Sequence, residues 1–534
     1  MSLKSQRAQL AIRALTFPIV LVATSCLAQT ILKPRSMKQV AQVDPRYLSF
    51  NVEAVEVTGG RFWKPYKAEG LPKGEHASSK TDSNQPSGMD GSLFQYRPPI
   101  DLSNPRLRNL ASALAPSYLR VSGTWRNSTY FQDDDAPLLS TAPDGFKGVM
   151  NRAEWRGVIE FSHAVGANIV ASVATSKGTR DSNNVWTPDQ AHAFFEYTKS
   201  AGGKIVAVEF MNEPTFAIIG GAPSGYNGAA FGRDAKIFQN FLKQESPDTV
   251  FLGPGSIGEG APLVEGAPMP KIIPTEDMLK SSGAIFDAFS YHFYGTISKR
   301  CTGAMGPNVG MTPDKALNAD WFDRNLTVEG FYAGLRDRYL PGKSMWLTET
   351  GEAGCGGDSW ASKFLDSFRF MDQLGSLAQK NVQSVMVNTL ASSDYGLIDE
   401  ETLKPRPDYW AALLWKRTMG VRVLDPGLAS NTKLRIYAHC STDLKGGVTV
   451  LVLNLDRTAT QSLTFPTSGK RFTLSASDVM SENVSLNGKE LESKSDGTPP
   501  VMLGQSFKRG TEEFAPLTIT FLNLPGARNA ACTN

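Results

Sequence analysis

Apolar segments with the length of β-strands alternate with helical patterns from residue 44 to residue 417. This alternation restricts the fold most, because a strand–helix repeat favours a parallel sheet covered by helices. The predicted strands are Tyr47–Val52, Tyr118–Val121, Asn168–Val173, Ile205–Met211, Val250–Gly253, Phe289–Tyr291, Ser344–Leu347 and Ser384–Val387. Eight strands in roughly 370 residues predict an α/β fold, a (β/α)8 TIM barrel with insertions.

Helical patterns occupy the intervals between these strands. The predicted helices are Arg106–Ala115, Glu154–Val165, Pro188–Ser200, Ala229–Gln244, Leu326–Arg338, Ser359–Lys380 and Pro407–Arg417. A doubly wound open sheet is the alternative that the same alternation allows. No glycine-rich phosphate loop follows a predicted strand, which weakens that alternative.

The pattern changes near residue 418, where helical periodicity ends. The β-rich runs that follow are LRIYA, GVTVLVLNLD, SLTFP, FTLSAS, NVSLNG and LTITFLNL. Short strands at this spacing, separated by turn residues, are typical of a β-sandwich. We therefore expect a catalytic barrel at 44–417 and a β-sandwich domain at 418–534.

The first 28 residues have the pattern of a signal peptide. Three basic residues precede an apolar run, Leu15 to Ala23, and small residues then offer a cleavage point after Ala28. The run is too short to span a bilayer, and no other segment is apolar enough to do so. We expect a secreted or periplasmic protein; a lipid anchor on Cys26 is the alternative.

The charge balance argues against nucleic acid as a partner. Removal of residues 1–28 takes away three basic residues and no acid, which leaves 52 basic and 52 acidic residues. A chain near neutrality has no general attraction for nucleic acids or anionic membranes. The five histidines show no metal-ligand spacing, so we expect no metal and no cofactor. We expect a monomer.

Two glutamates lie at the ends of predicted strands, where TIM barrels have their active sites. Glu213 follows the fourth predicted strand, and Glu349 ends the seventh. Active sites of TIM barrels lie at the carboxyl ends of the strands, so these carboxylates are expected to face each other across the barrel mouth. Paired acids that flank a bond are what glycoside hydrolysis requires. A single glutamate is more often a helix cap or a partner of arginine; two at matching strand ends favour catalysis.

Five stretches give the chain a resemblance to a known family. They are DPRYLSFNVEA (44–54), APSYLRVSGT (115–124), VEFMNEPT (208–215), MWLTETGEAGCGG (345–357) and DYGLIDEETLKPRPDYWAALLWKRTMG (394–420). Together they resemble glycoside hydrolase family 79, the heparanase and β-glucuronidase family, over roughly residues 44–534. Asn-Glu-Pro alone is common among sugar hydrolases, whereas 394–420 narrows the family.

The resemblance implies catalytic roles. Glu213 matches the general acid/base and Glu349 the nucleophile, on strands four and seven. Asn212 matches the residue that holds the 2-hydroxyl group of the sugar at the cleavage point. His292 and Tyr294 match a His-x-Tyr motif whose tyrosine donates to the nucleophile.

It also implies substrate-binding residues. Glu53 lies where the family has an acid that contacts sugar hydroxyls, although relatives often carry aspartate there. Tyr395 and the loop with Gly354, Gly356 and Gly357 match the part that receives the uronate carboxylate. Free backbone N–H groups suit such an anion. The loop reads Gly-Cys-Gly-Gly instead of a run of glycines, so its donors are left open.

The expected function is that of a retaining glycoside hydrolase that cleaves β-linked glucuronic acid from glycans or glycosaminoglycans. The expected partner is an oligo- or polysaccharide with glucuronic acid. Two alternatives remain: a retaining glycosidase of the same clan that acts on neutral sugars, and a non-catalytic carbohydrate-binding protein. The presence of both glutamates argues against the binding protein, which needs neither.

Arginine, lysine and cysteine residues leave further alternatives. Arg120, in the second strand, contacts the nucleophile or sugar in one interpretation and forms a buried structural ion pair in the other. Basic residues in loops of the catalytic face are either sulfate ligands or solvated charges; they are Lys177, Arg180, Lys299 and Arg300. The cysteines outside the signal peptide are free thiols or two disulfides, Cys301–Cys355 between adjacent loops and Cys440–Cys532 in the sandwich. Heparanases have a bridge comparable to the second.

Overall fold

The computed structural model describes residues 31–66, 85–262, 271–302, 310–428 and 430–533. The predicted signal peptide, residues 1–28, and Cys26 lie outside these ranges.

The strands are numbered in chain order. They are β1 (Gln39–Gln42), β2 (Leu48–Glu53), β3 (Gly60–Trp63), β4 (Phe94–Arg97), β5 (Ser117–Ser122), β6 (Thr129–Gln132), β7 (Gly148–Asn151), β8 (Ala167–Ser172), β9 (Ile205–Glu209), β10 (Val250–Ser256), β11 (Ala288–Tyr294), β12 (Met345–Gly351), β13 (Val382–Val387), β14 (Met419–Leu424), β15 (Leu434–Ser441), β16 (Val448–Asn454), β17 (Gln461–Phe465), β18 (Gly469–Ser475), β19 (Ser485–Leu486), β20 (Lys489–Glu490), β21 (Gln505–Phe507), β22 (Gly510–Phe514) and β23 (Thr518–Leu524).

The α-helices are numbered in the same way. They are α1 (Ala54–Thr58), α2 (Pro105–Ser112), α3 (Arg152–Val165), α4 (Asp189–Ser200), α5 (Gly228–Glu245), α6 (Thr275–Ser282), α7 (Lys299–Thr302), α8 (Ala319–Tyr339), α9 (Phe364–Gln379) and α10 (Pro407–Thr418).

Eight parallel strands close into a barrel in the order β2, β5, β8, β9, β10, β11, β12, β13. Each coincides with one of the eight predicted strands, and helices lie between them, so the predicted TIM barrel is confirmed. The short helix α6 was not predicted. Helix α9 begins at Phe364 and not at Ser359, because the segment before it turns to place Trp360 and Ala361 in the core.

The barrel interior changes from apolar to polar along the strands. One residue from each of seven strands forms an apolar cluster: Tyr118, Val170, Ala207, Leu252, Ala288, Trp346 and Met386. Alternate residues of a strand share a face, so the residue two positions further on also points inward. Those positions include Arg120, Glu209, Thr348 and Asn388, all buried. The apolar layer thus supports a polar layer nearer the carboxyl ends of the strands.

The C-terminal strands form an antiparallel sheet in the order β1, β14, β15, β16, β23, β18, β19, β20, and β21 pairs with β18. The small sheet β17–β22 covers one face through a core of its own. The predicted β-sandwich is therefore confirmed as a fold class. Strand β1 joins this sheet although it precedes the barrel in sequence. The division at residues 417 and 418 stays a prediction.

Both disulfides are present. Cys301 bonds to Cys355, and Cys440 bonds to Cys532, as predicted. No helix within the described ranges combines the length and the apolar character that crossing a bilayer requires.

The sandwich packs against the barrel through its central strands. In β15, Ile436 and Ala438 enter the sandwich core, whereas Tyr437 joins the barrel core. The hydroxyl of Tyr437 donates to Asp372 of α9 at 2.6 Å. A Cβ atom at Gly375 of α9 would overlap the Tyr437 ring, so this contact needs a glycine.

Gly375→Ala is expected to destabilise the fold by roughly 1–3 kcal/mol, since the methyl group forces the helix away from the Tyr437 ring. Gly334→Ala on α8 is the matched control, because a Cβ there meets nothing within 4 Å. The control is expected to be neutral or to stabilise by about 0.5–1 kcal/mol through helix propensity. Urea unfolding midpoints measure both, and equal stability of the two variants would contradict the packing described.

Candidate active site

A cavity of about 600 Å³ opens at the carboxyl end of the barrel strands. The predicted site residues that line it are Glu53, Asn212, Glu213, Tyr294, Glu349, Gly354 and Tyr395. His292 lies behind this surface, fully buried. Gly356 and Gly357 do not line it. Seven of the ten predicted residues therefore share one cavity.

Glu213 is presented to the cavity by a strained turn. Its φ of +48° is a left-handed value that non-glycine residues rarely adopt. Pro214–Phe216 forms a 3-10 turn after it, and the Phe216 N–H donates to the Glu213 carbonyl at 2.9 Å. The side chain is 18% exposed. Burial raises the pKa of Glu213 to about 7 and outweighs the opposing effect of Arg120.

Arg120 holds several site groups at once. Its guanidinium donates to Glu209 at 2.7 Å and to Glu349 at 2.9 Å. It also donates to Asn212 Oδ1 at 2.8 Å. Both interpretations of Arg120 are therefore correct: it forms a buried structural ion pair with Glu209 and contacts the predicted nucleophile.

Both carboxylate oxygens of Glu349 accept hydrogen bonds. Arg120 donates to Oε2, and the Tyr294 hydroxyl donates to Oε1 at 2.8 Å. These contacts leave Glu349 well oriented at the end of β12.

The protonation of His292 follows from its neighbours. Its Nε2 lies 3.1 Å from the Arg120 guanidinium, which can only donate, so Nε2 accepts. The proton is then on Nδ1, which donates to Glu213 Oε1 at 3.1 Å. Burial lowers the pKa of His292 to about 4, and the ring is neutral above that pH.

Glu213 and Glu349 are close enough to act on one sugar. One oxygen of each, together with a His292 nitrogen, lie within 4.8 Å of one another. Retaining glycosidases hold their two carboxyl groups about 5–5.5 Å apart, closer together than inverting ones do, and two oxygens this close are compatible with that separation. The same three residues have the spacing of a metal site, but the Arg120 guanidinium already supplies a cation to Glu349.

Glu53 is buried among polar groups. It accepts from the Asn388 amide at 3.0 Å, and that amide also donates to the hydroxyls of Tyr294 and Tyr395. Burial and the nearby Glu349 carboxylate raise the pKa of Glu53 well above its usual value. Gly123 makes the space, since a Cβ there would overlap the Glu53 carboxylate.

Hydrogen bonds to its side-chain oxygen fix the orientation of Asn212. That oxygen accepts from Arg120 and from the Gly123 N–H at 3.2 Å. Its amide nitrogen is buried and has no partner within the described part of the chain. The free donor therefore belongs to a residue that lines the cavity.

The glycine-containing loop offers fewer donors than its sequence suggests. The Gly354 N–H donates to Thr296 and the Gly357 N–H to Ala353. The N–H groups of Cys355 and Gly356 donate to no acceptor among the residues that the structure describes. Cys355 lines the cavity and is fixed by its disulfide to Cys301.

Two of the four basic residues considered as sulfate ligands or solvated charges form ion pairs within the protein. Arg180 pairs with the buried Asp234 at 2.6 Å, and Arg300 pairs with Asp394 at 2.5 Å. Lys177 and Lys299 are exposed, as solvated charges are. This arrangement favours the interpretation without sulfate.

Sequence reasoning missed Asn388 and the aromatic walls. Asn388 follows the apolar run of β13, the same signal that identified Glu213, so it was detectable. Trp63 and Trp125 line the cavity from inserted segments whose position no strand pattern indicates.

Sequence comparison finds relatives over most of the chain, although no family model matches it. Heparanase-like protein 1 of Arabidopsis thaliana is 26% identical and covers 74% of this chain and 70% of its own. Heparanase of Mus musculus is 26% identical, with 81% and 88% covered. Baicalin-beta-D-glucuronidase of Scutellaria baicalensis is 26% identical, with 80% and 84% covered.

Solved structures agree on the fold. A 4-O-alpha-L-rhamnosyl-beta-D-glucuronidase from Fusarium oxysporum aligns with a TM-score of 0.60 at 12% identity, covering 93% of this chain and 99% of its own. A family 51 arabinofuranosidase from Xanthomonas axonopodis aligns with a TM-score of 0.57 at 15% identity, covering 91% and 98%. The chain is a glycoside hydrolase homologous to the heparanases and β-glucuronidases of family 79.

Proposed function

We propose that the protein is a retaining hydrolase that cleaves β-linked glucuronic acid from glycans or glycosaminoglycans. The observation that carries the proposal is the pair Glu213 and Glu349, with oxygens within 4.8 Å, in one cavity and in different environments.

In the first step, Glu349 attacks the anomeric carbon while the glycosidic C–O bond breaks. Glu213 gives its proton to the departing oxygen, and the sugar becomes covalently bound to Glu349. The raised pKa of Glu213, about 7, keeps this proton available at mildly acidic pH. Arg120 and Tyr294 hold the attacking carboxylate in place.

In the second step, water replaces the leaving group. Glu213, now ionised, takes a proton from the water, whose oxygen attacks the anomeric carbon and releases Glu349. Two displacements at the same carbon retain its configuration. The neutral His292 donates to Glu213 throughout and supplies no proton of its own.

The remaining predicted residues receive the sugar in this proposal. The free amide of Asn212 donates to the 2-hydroxyl group, and Glu53 accepts from ring hydroxyls. Tyr395 and the N–H group of Cys355 receive the uronate carboxylate. An N–H group without an acceptor among the described residues, at a residue that lines the cavity, supports an anion site here.

A neutral sugar is the competing substrate, because arabinofuranosidases share the fold. Hydrolysis of p-nitrophenyl β-glucuronide is expected to exceed that of the glucoside and xyloside by at least about 100-fold in kcat/KM, as a buried anion site left empty is costly. Turnover of only the neutral glycosides would contradict the uronate assignment. Turnover of none would favour a binding protein.

Glu349→Gln and Glu213→Ala are each expected to lower kcat by about 100-fold or more. With an activated aryl glucuronide, azide is expected to restore turnover of Glu213→Ala, where a small anion replaces the missing base, and not of Glu349→Gln. The exposed acid Glu196, changed to Gln, is the matched control and should keep full activity. If azide restored turnover of Glu349→Gln and not of Glu213→Ala, Glu349 would be the general acid/base and Glu213 the nucleophile.

Activity is expected to fall as the pH rises through about 7, because Glu213 then loses the proton that the leaving group needs. The pH profile of kcat/KM for an alkyl glucuronide measures this. Burial also raises the pKa of Glu56 to about 7, so a second substrate is needed to show which of the two glutamates causes the fall in activity. The leaving group of dinitrophenyl glucuronide departs without protonation, so its kcat/KM should not fall as the pH rises through about 7. If kcat/KM for this substrate falls in the same way, the titrating group is not Glu213.

We further propose that the protein is exported. Two disulfides support an oxidising compartment, in which such bonds persist.

A further inference from the structure

The cavity extends beyond the sugar-binding residues into an apolar region that follows Glu213. We name this region the leaving-group chamber and define it by Met89, Phe216, Ile218, Ile219, Ile272 and Ile273, all of which line the cavity. The acid/base of a glycosidase faces the glycosidic oxygen, so the group beyond that oxygen lies beside the acid.

Backbone hydrogen bonds join the chamber to Glu213. The Phe216 N–H donates to the Glu213 carbonyl at 2.9 Å, and the Ile273 N–H donates to the Thr215 carbonyl at 3.0 Å. The Ser87 N–H donates to the Ile219 carbonyl at 2.9 Å, which places the turn with Met89 against the same wall. The apolar side chains thus form one surface that begins at the acid.

Polar side chains along the cavity direct their polar atoms into the scaffold. Asn127 donates to the Asn212 carbonyl and accepts from the Asn212 N–H, at 2.8 and 2.9 Å. The Tyr226 hydroxyl donates to Asp234 at 3.2 Å. The Thr215 hydroxyl accepts from the Ile257 N–H at 3.3 Å. These three side chains are therefore already engaged and are not free to bind the hydroxyl groups of a sugar chain.

Positive charge is scarce in the same place. Among the described residues that line the cavity, Lys271 is the one lysine or arginine, and it is exposed at the rim. The nearby Arg180 and Arg300 are bound to Asp234 and Asp394. Within the described part of the cavity, a sulfated chain would therefore find one basic side chain.

We infer that the leaving-group chamber binds an apolar aglycone, so that the enzyme acts on glucuronides of alkyl or aryl alcohols in preference to those of sugar chains. The inference rests on the glucuronyl-transfer step of the proposed function, and it replaces the glycan leaving group of that proposal with an apolar one. Its basis is the set of apolar side chains beside Glu213 and the internal hydrogen bonds that occupy Asn127, Thr215 and Tyr226.

The preference for an apolar aglycone is tested by comparing kcat/KM for methyl and octyl β-glucuronide. The octyl compound is used below its critical micelle concentration. The two alcohols have nearly equal acidity, so a difference in kcat/KM reports binding of the alkyl chain and not bond reactivity. Each methylene that enters an apolar site contributes roughly fourfold. We expect octyl glucuronide to exceed methyl glucuronide by at least about tenfold, and to exceed a heparan sulfate oligosaccharide with terminal glucuronate.

Ile218 offers a variant that leaves the fold intact, since its side chain is already 51% exposed. Ile218→Ser is expected to lower the octyl-to-methyl ratio about threefold or more, because the chain loses an apolar contact. Leu503→Ser is the matched control: it makes a comparable exchange at a residue 74% exposed in the sandwich, and the ratio should not change.

The outcomes separate the two proposals. Equal kcat/KM for both alkyl glucuronides, faster cleavage of the oligosaccharide, or an unchanged ratio in Ile218→Ser would overturn the apolar aglycone and leave the glucuronidase. Hydrolysis of none of these glucuronides would overturn both.

Discussion

The site depends on the hydrogen bonds and ion pairs that the guanidinium of Arg120 forms. It is buried inside the barrel and contacts groups from β9, β11 and β12 and from the turn after β9. Burial of an unpaired cation costs several kcal/mol, so Glu209 and Glu349 are needed to offset it. The position of the predicted nucleophile is therefore coupled to a structural ion pair, and local movement of one strand would disturb both.

The two predicted catalytic glutamates lie on one rim but in different surroundings. Glu349 accepts from Arg120 and Tyr294, whereas Glu213 accepts from a neutral histidine and is largely removed from water. The histidine stays neutral because it is buried and because Arg120 donates to its other nitrogen. Arg120 thus acts on both carboxylates, directly on one and through the ring on the other. Acid and base roles generally follow from such a contrast in environment.

Most of the fold could be predicted, because barrel strands are buried on both sides and read as apolar runs. Glu213 and Glu349 were predicted for a related reason: a carboxylate at the end of a buried strand is costly to desolvate and is rarely needed for packing. The role of Arg120 could not be decided, since its partners lie on other strands. The sequence also could not show which N–H groups of the glycine-containing loop are free. The carbonyls of Thr296 and Ala353 accept from two of them, and only the tertiary structure identifies these acceptors. Strand β1 is too polar and short to reveal its sheet.

The place of β1 has a consequence for synthesis. Gln42 pairs with Arg422, so the whole barrel sequence lies between two neighbouring strands of the sandwich sheet. On the ribosome, β1 emerges first and waits without its partner until the barrel has been translated. The sheet can be completed only after the barrel sequence between β1 and β14 has been translated. Pairing of these two strands joins segments that are far apart in the chain, and contacts of that kind are generally slow to form.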